Sequence, residues 1–489
     1  MGFREHRSRQ PRRGAAVALW SLVYLGFVLL FVSIWIRANF GAVSFEELIA
    51  NLPITHGGGV GNGGLIITAS AYWFILPGLF TGIVYLIRRM MRRPMPTRRR
   101  HWAYATVFVL VGALTLAVTT GIPRYANAAI ANKTVEPYYV PPTVSASPAH
   151  PKNLITIYLE SAESSLGNKA LFGRNLLADL DTATSDWHDY DGLRQYSGGG
   201  WTMSGMVSTQ CGIPLKHPLI HDQYQSNSMG SAMDHYLPNA QCLGDILAAQ
   251  GYTSAYLGGA STTFAGKGHF YLDHGYTTDL GLEDWRAGGE PADYISEWGL
   301  SDSHLMVHAE QTVERLRAAG KPFNLTMITL DTHEPPGVFA DCHTDDGLPM
   351  ETSVACSMKA VAGFLDYLKA HHYLDDTVVM VMGDHDKMLL AGSEFSDILA
   401  RVPDHRLVMR VWSPDPVTFS RANADQLSVL PTALELLGFT VPDGRAGLGV
   451  SFVGDHPLAG TILSLPPAEQ DELLDAPSSQ LYRHFWGLR

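Results

Sequence analysis

Three long uncharged stretches near the N-terminus constrain the fold of this chain more than any other feature of its sequence. They cover residues 15–36, 65–87 and 102–122. Each is long enough to cross a bilayer core, which needs about 20 apolar residues. A signal peptide is the alternative for the first stretch, but its apolar region would be only about 7–15 residues long. The sequence therefore predicts three transmembrane helices within a membrane region of residues 1–123.

Arginines flank these stretches unevenly. Five lie in residues 1–14 and seven in residues 88–101, whereas the connection 37–64 has one arginine and two glutamates. Because basic residues concentrate in cytoplasmic connections, the N-terminus and residues 88–101 are predicted to be cytoplasmic. Everything after the third helix is then predicted to lie outside the membrane, on its far side.

The charge of this outer portion excludes one class of partner. Residues 1–123 hold 13 of the 35 Lys and Arg residues but only 3 of the 47 Asp and Glu residues. The rest of the chain has 22 basic and 44 acidic residues. Since such a surface repels polyanions, we expect no nucleic-acid partner.

All four cysteines fall in the outer portion, where an oxidising compartment permits disulfides. Four cysteines allow three pairings. Short loops favour Cys211–Cys242 and Cys342–Cys356. Four buried free thiols are the alternative.

The outer portion begins with a proline-rich stretch. Residues 135–151 (VEPYYVPPTVSASPAHP) have no apolar period, which predicts an extended linker within residues 124–151. The main domain is predicted at residues 152–456. A C-terminal tail of residues 457–489 is expected to pack on that domain, with contact to the membrane as the alternative.

Short apolar segments alternate with helical periodicity in the main domain. The predicted strands are residues 153–160, 253–259, 323–333, 377–386 and 405–412. Apolar residues at helical spacing lie between them and end before glycines such as Gly251 and Gly320. This alternation predicts an α/β fold with a mostly parallel central sheet.

Potential metal ligands follow the predicted strands. Glu160 ends the first strand, His333 follows the third, and Asp384 and His385 follow the fourth within GDHD. Because ligands bind at the carboxyl ends of parallel strands, we expect these side chains to converge. An ordinary helix cap or loop residue is the alternative for any one of them.

A threonine, Thr202, follows three glycines and a tryptophan in GGGWTMSGMVSTQCGIPL (residues 198–215), at the predicted start of a helix. With Glu160, Asp384 and His385 it offers three oxygen donors and one imidazole. That set suits Mn²⁺ or Mg²⁺, with Zn²⁺ as an alternative. A divalent metal and a helix N-terminus both favour the alkoxide form of a hydroxyl, which predicts a nucleophile. An ordinary N-cap is the alternative.

Six segments together resemble a known family. They are NLITIYLESAES, GWTMSGMVSTQCGIPL, GASTTFAGKGHF, EWGLSDSHL, LDTHEP and GDHDKM. The set is similar to that of the membrane-bound phosphoglycerol transferases, above all the phosphoglycerol transferase I branch, which modifies osmoregulated periplasmic glucans. The wider group includes the lipoteichoic acid synthases, in the sulfatase and alkaline-phosphatase superfamily. The resemblance covers about residues 150–455.

The resemblance implies roles for individual residues. Glu160, Thr202, Asp384 and His385 fall on the ligands of one divalent metal, with Mn²⁺ expected and Mg²⁺ or Zn²⁺ as alternatives. Thr202 also falls on the family's nucleophile. His333 falls on a histidine that contacts the phosphoglycerol group, and it could also act as an acid or base.

Two further residues are implied in the same substrate pocket. Phe264 and Lys267 fall on an aromatic and a basic residue that line it. Lipoteichoic acid synthases have Trp-Asn-Arg where this chain has Ala265, Gly266 and Lys267, a departure that favours the glucan-modifying branch. The cysteine positions also follow that branch, which supports the two proposed disulfides.

The implied activity is transfer of phosphoglycerol from phosphatidylglycerol to a periplasmic glucan, through a phosphoglyceryl-threonine and with release of diacylglycerol. The implied location is a bacterial inner membrane, with the catalytic domain in the periplasm. A phosphoethanolamine transferase acting on a lipid or glycan is the alternative enzyme, and a catalytically silent, membrane-anchored glycan-binding protein is the alternative of another class. A sulfatase is disfavoured because CGIPLK lacks the spacing and arginine of a Cys/Ser-x-Pro-x-Arg segment. The sequence does not indicate an oligomeric state.

Overall fold

The computed structural model describes residues 10–40, 63–91, 99–131, 133–216, 234–342, 348–388, 393–476 and 480–488. Over most of its length the chain divides into two compact units between Asn127 and Ala128. The first unit contains the N-terminal helices, and the second contains the predicted main domain.

The N-terminal unit contains the three predicted apolar segments as helices. They are α1 (Gln10–Phe40), the pair α2 (Gly63–Ser70) and α3 (Leu76–Met90) joined by a π-helical turn (Ala71–Ile75), and α4 (Arg99–Thr119). Within them Gly14–Asn39, Ile67–Met90 and Arg99–Thr119 are each long and apolar enough to cross a membrane. The connections predicted at residues 37–64 and 88–101 lie largely outside the described residues.

The helices of this unit pack through aromatic rings and expose apolar side chains elsewhere. Phe27 of α1 lies 4.9 Å from Phe108 of α4 and 5.7 Å from Phe80 of α3, between ring centroids. Ile67 and Leu114 are 71% and 64% exposed. Isolated water-soluble proteins rarely expose apolar surface so widely, whereas hydrocarbon tails would cover it without cost.

The remaining elements begin with α5 (Ile122–Ile130) and continue through the second unit. The strands are β1 (Asn153–Leu159), β2 (His188–Asp189), β3 (Leu193–Arg194), β4 (Thr253–Gly258), β5 (Tyr276–Leu280), β6 (Phe323–Ile328), β7 (Thr377–Gly383), β8 (Met409–Trp412), β9 (Ala424–Asp425), β10 (Arg445–Ala446) and β11 (Gly449–Val450). The helices are α6 (Lys169–Phe172), α7 (Ala178–Ala183), α8 (Thr202–Cys211), α9 (Leu243–Ala249), α10 (Lys267–Asp273), α11 (Leu282–Ala287), α12 (Asp302–Ala318), α13 (Pro349–Ala370), α14 (Ser396–Leu399), α15 (Val429–Leu436), α16 (Pro467–Leu474) and α17 (Gln480–Phe485).

A central sheet of seven strands organises this unit, in the order β2-β8-β7-β1-β6-β4-β5. The strands from β7 to β5 run parallel, while β8 pairs antiparallel with β7 and β2 antiparallel with β8. Every residue of β1, β6 and β7 is buried, as expected where both faces of a parallel sheet are covered. The predicted α/β fold with a mostly parallel sheet is confirmed.

The strand predictions differ from the structure at the sheet edges. Residues 405–412 do form a strand at their end, but β8 is short and antiparallel. The parallel edge strand β5 was not predicted, because its sequence YTTDL is half polar and only its first residue is buried. Edge strands lack the continuous apolar run that burial on both faces requires.

Residues 133–151, within the predicted linker, are mostly extended but pack against the domain. Val135 is buried, Val140 N–H donates to the Gly447 carbonyl at 2.8 Å, and Ser145 N–H donates to the Thr440 carbonyl at 2.9 Å. The predicted tail also joins the core through the buried Tyr482 and Trp486. The compact unit therefore extends beyond the boundaries predicted at 152 and 456.

Candidate active site

The predicted site residues on the sheet lie at the carboxyl ends of its three central strands. Glu160 directly follows β1, whose two neighbours are β6 and β7. His333 lies in the loop after β6, and Asp384 and His385 directly follow β7. Parallel pairing of these strands brings residues that are far apart in sequence to one edge of the sheet.

Glu160, Asp384 and His385 form a compact buried cluster. One ligand atom from each lies within 4.8 Å of the others. His385 Nε2 is 3.5 Å from Glu160 Oε1 and 3.4 Å from Asp384 Oδ2. Burial and the nearby Glu160 raise the pKa of Asp384 to about 7, because two buried carboxylates repel each other when both are ionised. A bound cation would relieve that repulsion.

Backbone donors orient Asp384 and leave one of its oxygens without a hydrogen-bond partner. Asp384 Oδ1 accepts hydrogen bonds from the N–H groups of Ser161 at 2.8 Å and His385 at 2.9 Å. Buried Asp384 Oδ2 accepts none from the described residues. An orphaned buried carboxylate oxygen beside a second carboxylate and an imidazole fits a divalent metal, and oxygen and nitrogen ligands suit Mn²⁺, Mg²⁺ or Zn²⁺.

Thr202 is brought to this cluster by the start of α8. Trp201 is extended (φ −155°, ψ 156°) and occupies the N-cap position, so Thr202 is the first helical residue. The alternative that Thr202 is an ordinary N-cap is therefore wrong. The half-buried Thr202 Oγ1 donates to Glu160 Oε2 at 3.3 Å. The first backbone N–H groups of α8 have no helical partner and favour negative charge at this end.

A close contact between α8 and the loop after β7 fixes the threonine relative to the carboxylates. A Cβ at Gly205 would lie 2.1 Å from the Asp384 carbonyl oxygen, so only glycine fits there without displacement. The same carbonyl accepts from Gln426 Nε2 at 2.5 Å, and Gln426 Oε1 accepts from Tyr196 N–H at 3.2 Å. No sequence signal identified Gln426, which lies in the segment after β9.

Lys267, Phe264 and His333, predicted in a substrate pocket, are linked by aromatic contacts. Lys267 Nζ lies 4.8 Å from the Phe264 ring centroid. The Phe264 ring lies 6.4 Å from that of Trp298, whose ring is 4.0 Å from His333. Trp298 was not predicted as a site residue, although it lies in the segment EWGLSDSHL.

Lys267 and His333 differ in the charge that their environments favour. Burial lowers the pKa of Lys267 to about 8, although Glu160 and Asp384 oppose the effect. Burial also lowers the pKa of His333. His333 Nδ1 lies 2.9 Å from the Glu334 carbonyl oxygen, which can only accept, so Nδ1 carries the proton and neutral His333 keeps a lone pair on Nε2.

Further hydrogen bonds tie the three loops together. Thr332 Oγ1 donates to the Glu160 carbonyl at 2.6 Å, and the buried Lys387 Nζ donates to the Thr332 carbonyl at 2.6 Å. These contacts join the ends of β1, β6 and β7 around the cluster. Thr332 lies in LDTHEP and Lys387 in GDHDKM, but neither residue was predicted to have a function.

Both predicted disulfides are present, so the alternative of four free thiols is wrong. Cys211–Cys242 joins the end of α8 to the residue before α9, and Cys342–Cys356 closes onto α13. Cys242 also lies near Asp245 and His274. That second group is held by its own hydrogen bonds, including one of 2.8 Å between Asp245 Oδ2 and His274 Nδ1.

Residues 152–439 match the family described as Sulfatase, and this chain belongs to that family. The chain is similar to phosphoglycerol transferase I from Xanthomonas euvesicatoria pv. vesicatoria (strain 85-10), with 32% identity over 72% of this chain and 49% of the relative. It is also similar to phosphoglycerol transferase I from Salmonella agona (strain SL483), with 29% identity over 91% of this chain and 58% of the relative. The chain thus spans about half the length of the curated relatives it matches.

Among solved structures, the fold resembles the lipoteichoic acid synthase LtaP from Listeria monocytogenes. The identity is 19%, the TM-score is 0.47, and the match covers 61% of this chain and 76% of LtaP. The family match and the two curated relatives confirm the expected resemblance to phosphoglycerol transferases of the sulfatase superfamily.

Proposed function

We propose that this protein transfers phosphoglycerol from phosphatidylglycerol to a periplasmic glucan, with Thr202 as nucleophile. The observation that carries the proposal is the position of Thr202 Oγ1, 3.3 Å from Glu160 in a cluster that also contains Asp384 and His385. The similarity to two phosphoglycerol transferases I supports the choice of donor and acceptor.

Glu160, Asp384, His385 and the Thr202 hydroxyl would hold one divalent metal, for which we propose Mn²⁺, with Mg²⁺ and Zn²⁺ as alternatives. When bound, such an ion lowers the pKa of a neighbouring hydroxyl and offsets negative charge on phosphoryl oxygens. Lys267 adds a buried positive charge to the same task, as a point charge without the paired donors of an arginine.

In the first step Thr202 Oγ1 forms a bond to phosphorus and loses its proton, while the bond from phosphorus to the diacylglycerol oxygen breaks. The departing oxygen gains a proton and leaves as diacylglycerol. We propose that His333 Nε2, which is not engaged by the Glu334 carbonyl, accepts the proton that Thr202 releases. The protonated His333 then acts as the donor to the departing oxygen or as a phosphate ligand. A phosphoglyceryl-threonine remains.

In the second step a glucan hydroxyl oxygen bonds to phosphorus and the bond to Thr202 Oγ1 breaks. The glucan hydroxyl loses its proton and Thr202 regains one, so the site returns to its starting state. We further propose that the N-terminus is cytoplasmic and the α/β domain periplasmic in a bacterial inner membrane. The reason is that arginines cluster in residues 1–14, before the first apolar segment, and in residues 88–101, after the second, and both clusters would lie on the same side of the membrane.

The test is lipid turnover by the full chain in detergent, with fluorescent phosphatidylglycerol and Mn²⁺, with and without a periplasmic glucan. We expect diacylglycerol release and phosphoglycerol on the glucan. Thr202→Ala should abolish both, whereas Thr182→Ala, which changes an exposed threonine on α7, should abolish neither. Chelation should stop turnover, and separate additions of Mn²⁺, Mg²⁺ and Zn²⁺ should identify the ion.

Other outcomes would change the proposal in distinct ways. Diacylglycerol release without glucan modification would overturn the acceptor but keep the chemistry. Turnover of phosphatidylethanolamine in place of phosphatidylglycerol would indicate a phosphoethanolamine transferase. No turnover of either lipid would favour a glycan-binding protein, which glucan binding by the chain would then test.

A further inference from the structure

The indole of Trp298 lies beside the candidate site, and the proposed mechanism does not use it. Its ring centroid is 4.0 Å from that of His333 and 6.4 Å from that of Phe264. Phe264 in turn lies 4.8 Å from Lys267 Nζ. Trp298 therefore links His333 to Phe264 and Lys267, the three residues that are predicted to contact the substrate.

The N–H of this indole is buried and has no hydrogen-bond partner among the described residues. Two other indoles of the domain are paired, since Trp285 Nε1 donates to the Gly258 carbonyl at 2.8 Å and Trp412 Nε1 to the Leu374 carbonyl at 3.0 Å. Trp187 Nε1 is unpaired among the described residues, as Trp298 Nε1 is, but its ring lies against Trp412 and not against a candidate site residue. A buried donor without an acceptor costs free energy, so an acceptor on a ligand bound beside His333 would satisfy the Trp298 N–H.

The backbone holds this ring in a fixed place. Ser296 Oγ accepts hydrogen bonds from the N–H groups of Trp298 and Gly299, both at 3.2 Å. Gly299 has a φ of +154°, and a Cβ there would lie 2.1 Å from the Gly259 carbonyl oxygen. The turn is thus packed against the end of β4, so the backbone that carries Trp298 is positioned before any ligand binds, and its ring lies against His333.

We propose that Trp298 is a specificity-determining residue that discriminates between headgroups of the donor lipid. Its N–H donates a hydrogen bond to a hydroxyl oxygen of the glycerol that remains on the transferred phosphate. This inference rests on the proposed function. A glycerol hydroxyl can accept such a bond, whereas the ammonium of ethanolamine has only donors. The contact therefore favours glycerol and leaves the indole unpaired when ethanolamine binds.

The test compares three lipids with identical acyl chains: phosphatidylglycerol, phosphatidylethanolamine and phosphatidylpropanol, whose headgroup has no hydroxyl. The kcat/KM of diacylglycerol release is measured for the full chain with Mn²⁺. Trp298→Phe keeps an aromatic ring against His333 but removes the N–H. Trp187→Phe is the matched control, because Trp187 Nε1 is also buried and unpaired among the described residues. Its ring packs on Trp412, which pairs with Val379 near the start of β7, whereas the candidate site follows the end of β7.

We expect Trp298→Phe to lower kcat/KM for phosphatidylglycerol about tenfold, the factor that one hydrogen bond of about 1.4 kcal/mol supplies. Its kcat/KM for phosphatidylpropanol should stay within about twofold of wild type, and Trp187→Phe should change neither value. Thermal unfolding and gel filtration of each variant establish that equal amounts of folded protein are compared.

Two kinds of failure are distinguishable. If wild type prefers phosphatidylglycerol and Trp298→Phe keeps the same preference over phosphatidylpropanol, the inference is wrong and the proposed function stands. An equal loss for both lipids in the folded variant also overturns it, because a general packing role would act in that way. If wild type does not turn over phosphatidylglycerol, the proposed function fails and the inference fails with it.

Discussion

Lys267 combines burial with the positive charge that we propose for binding the phosphate. Burial lowers its pKa to about 8, since the charged form loses solvation there. The amine is therefore protonated below about pH 8 and neutral above it. Phe264 offers a ring face 4.8 Å from the amine, and Glu160 and Asp384 are the nearby charges that favour its protonated form.

The first prediction concerns the pH dependence that follows. We expect kcat/KM for phosphatidylglycerol to fall as the pH rises through about 8, because Lys267 then loses its charge. Lys267→Arg should lower the rate but remove this alkaline decline, since arginine stays protonated. Lys359→Arg, at an exposed position on α13, is the control and should keep the wild-type profile. An unchanged alkaline decline in Lys267→Arg would assign it to another group.

At the scale of elements, the site depends on how closely α8 approaches the end of β7. Gly205 stands one turn after Thr202 and faces the Asp384 carbonyl oxygen, which Gln426 also holds. Backbone atoms of a buried strand end cannot move aside as a flexible side chain can. The position of Thr202 relative to the carboxylates therefore depends on the absence of a side chain at Gly205.

The second prediction tests this contact. Gly205→Ala should lower kcat by about 100-fold or more, since displacements near 1 Å at a reacting centre have effects of that size. It should also destabilise the domain by about 1–3 kcal/mol through overpacking. Gly363→Ala is the matched helical control, because an added Cβ there meets no atom within 4 Å. It should stabilise slightly and leave kcat unchanged. Turnover and chemical denaturation measure both effects, and wild-type activity in Gly205→Ala would contradict the argument.

At the scale of the whole molecule, segments that looked peripheral belong to the folded domain. Tyr139, within the predicted linker, contacts Phe485 of α17 with 5.3 Å between ring centroids. Leu481 N–H donates to Glu136 Oε1 at 2.8 Å. Trp486 packs on Tyr236 and donates its indole N–H to the Lys216 carbonyl at 2.8 Å. The segment before the predicted domain and the tail after it therefore contact each other, and the tail also packs on the core of the domain.

The third prediction concerns this closure. Trp486→Ala should lower the free energy of unfolding by about 3–5 kcal/mol, as expected for removing a buried aromatic side chain. Leu488→Ala, two residues later and 36% exposed, should change it by less than about 1 kcal/mol. Denaturant titration of the full chain in detergent gives both values. Equal stability of the two variants would mean that the tail does not contribute to the core.

Much of the architecture could be predicted from the sequence because it depends on local patterns. Apolar length identified the three membrane-spanning candidates, and continuous apolar runs located β1, β4, β6 and β7. Glu160, Asp384 and His385 follow predicted strands, and parallel pairing of those strands predicted that the three side chains lie close together, as they do. Their assignment as ligands, with Thr202 as nucleophile, remains a prediction.

Long-range contacts decided what local patterns could not. The sequence by itself determined which segments are buried and where the chemically active residues stand, because period and apolar length are properties of neighbouring residues. Only the tertiary structure decided that Gln426 donates to the Asp384 carbonyl, that Gly205 permits the approach of α8, and that the ring of Trp298, with its unpaired N–H, lies beside His333. Such pairings depend on which distant backbone atom lies opposite a side chain, and that is settled only when the whole domain packs.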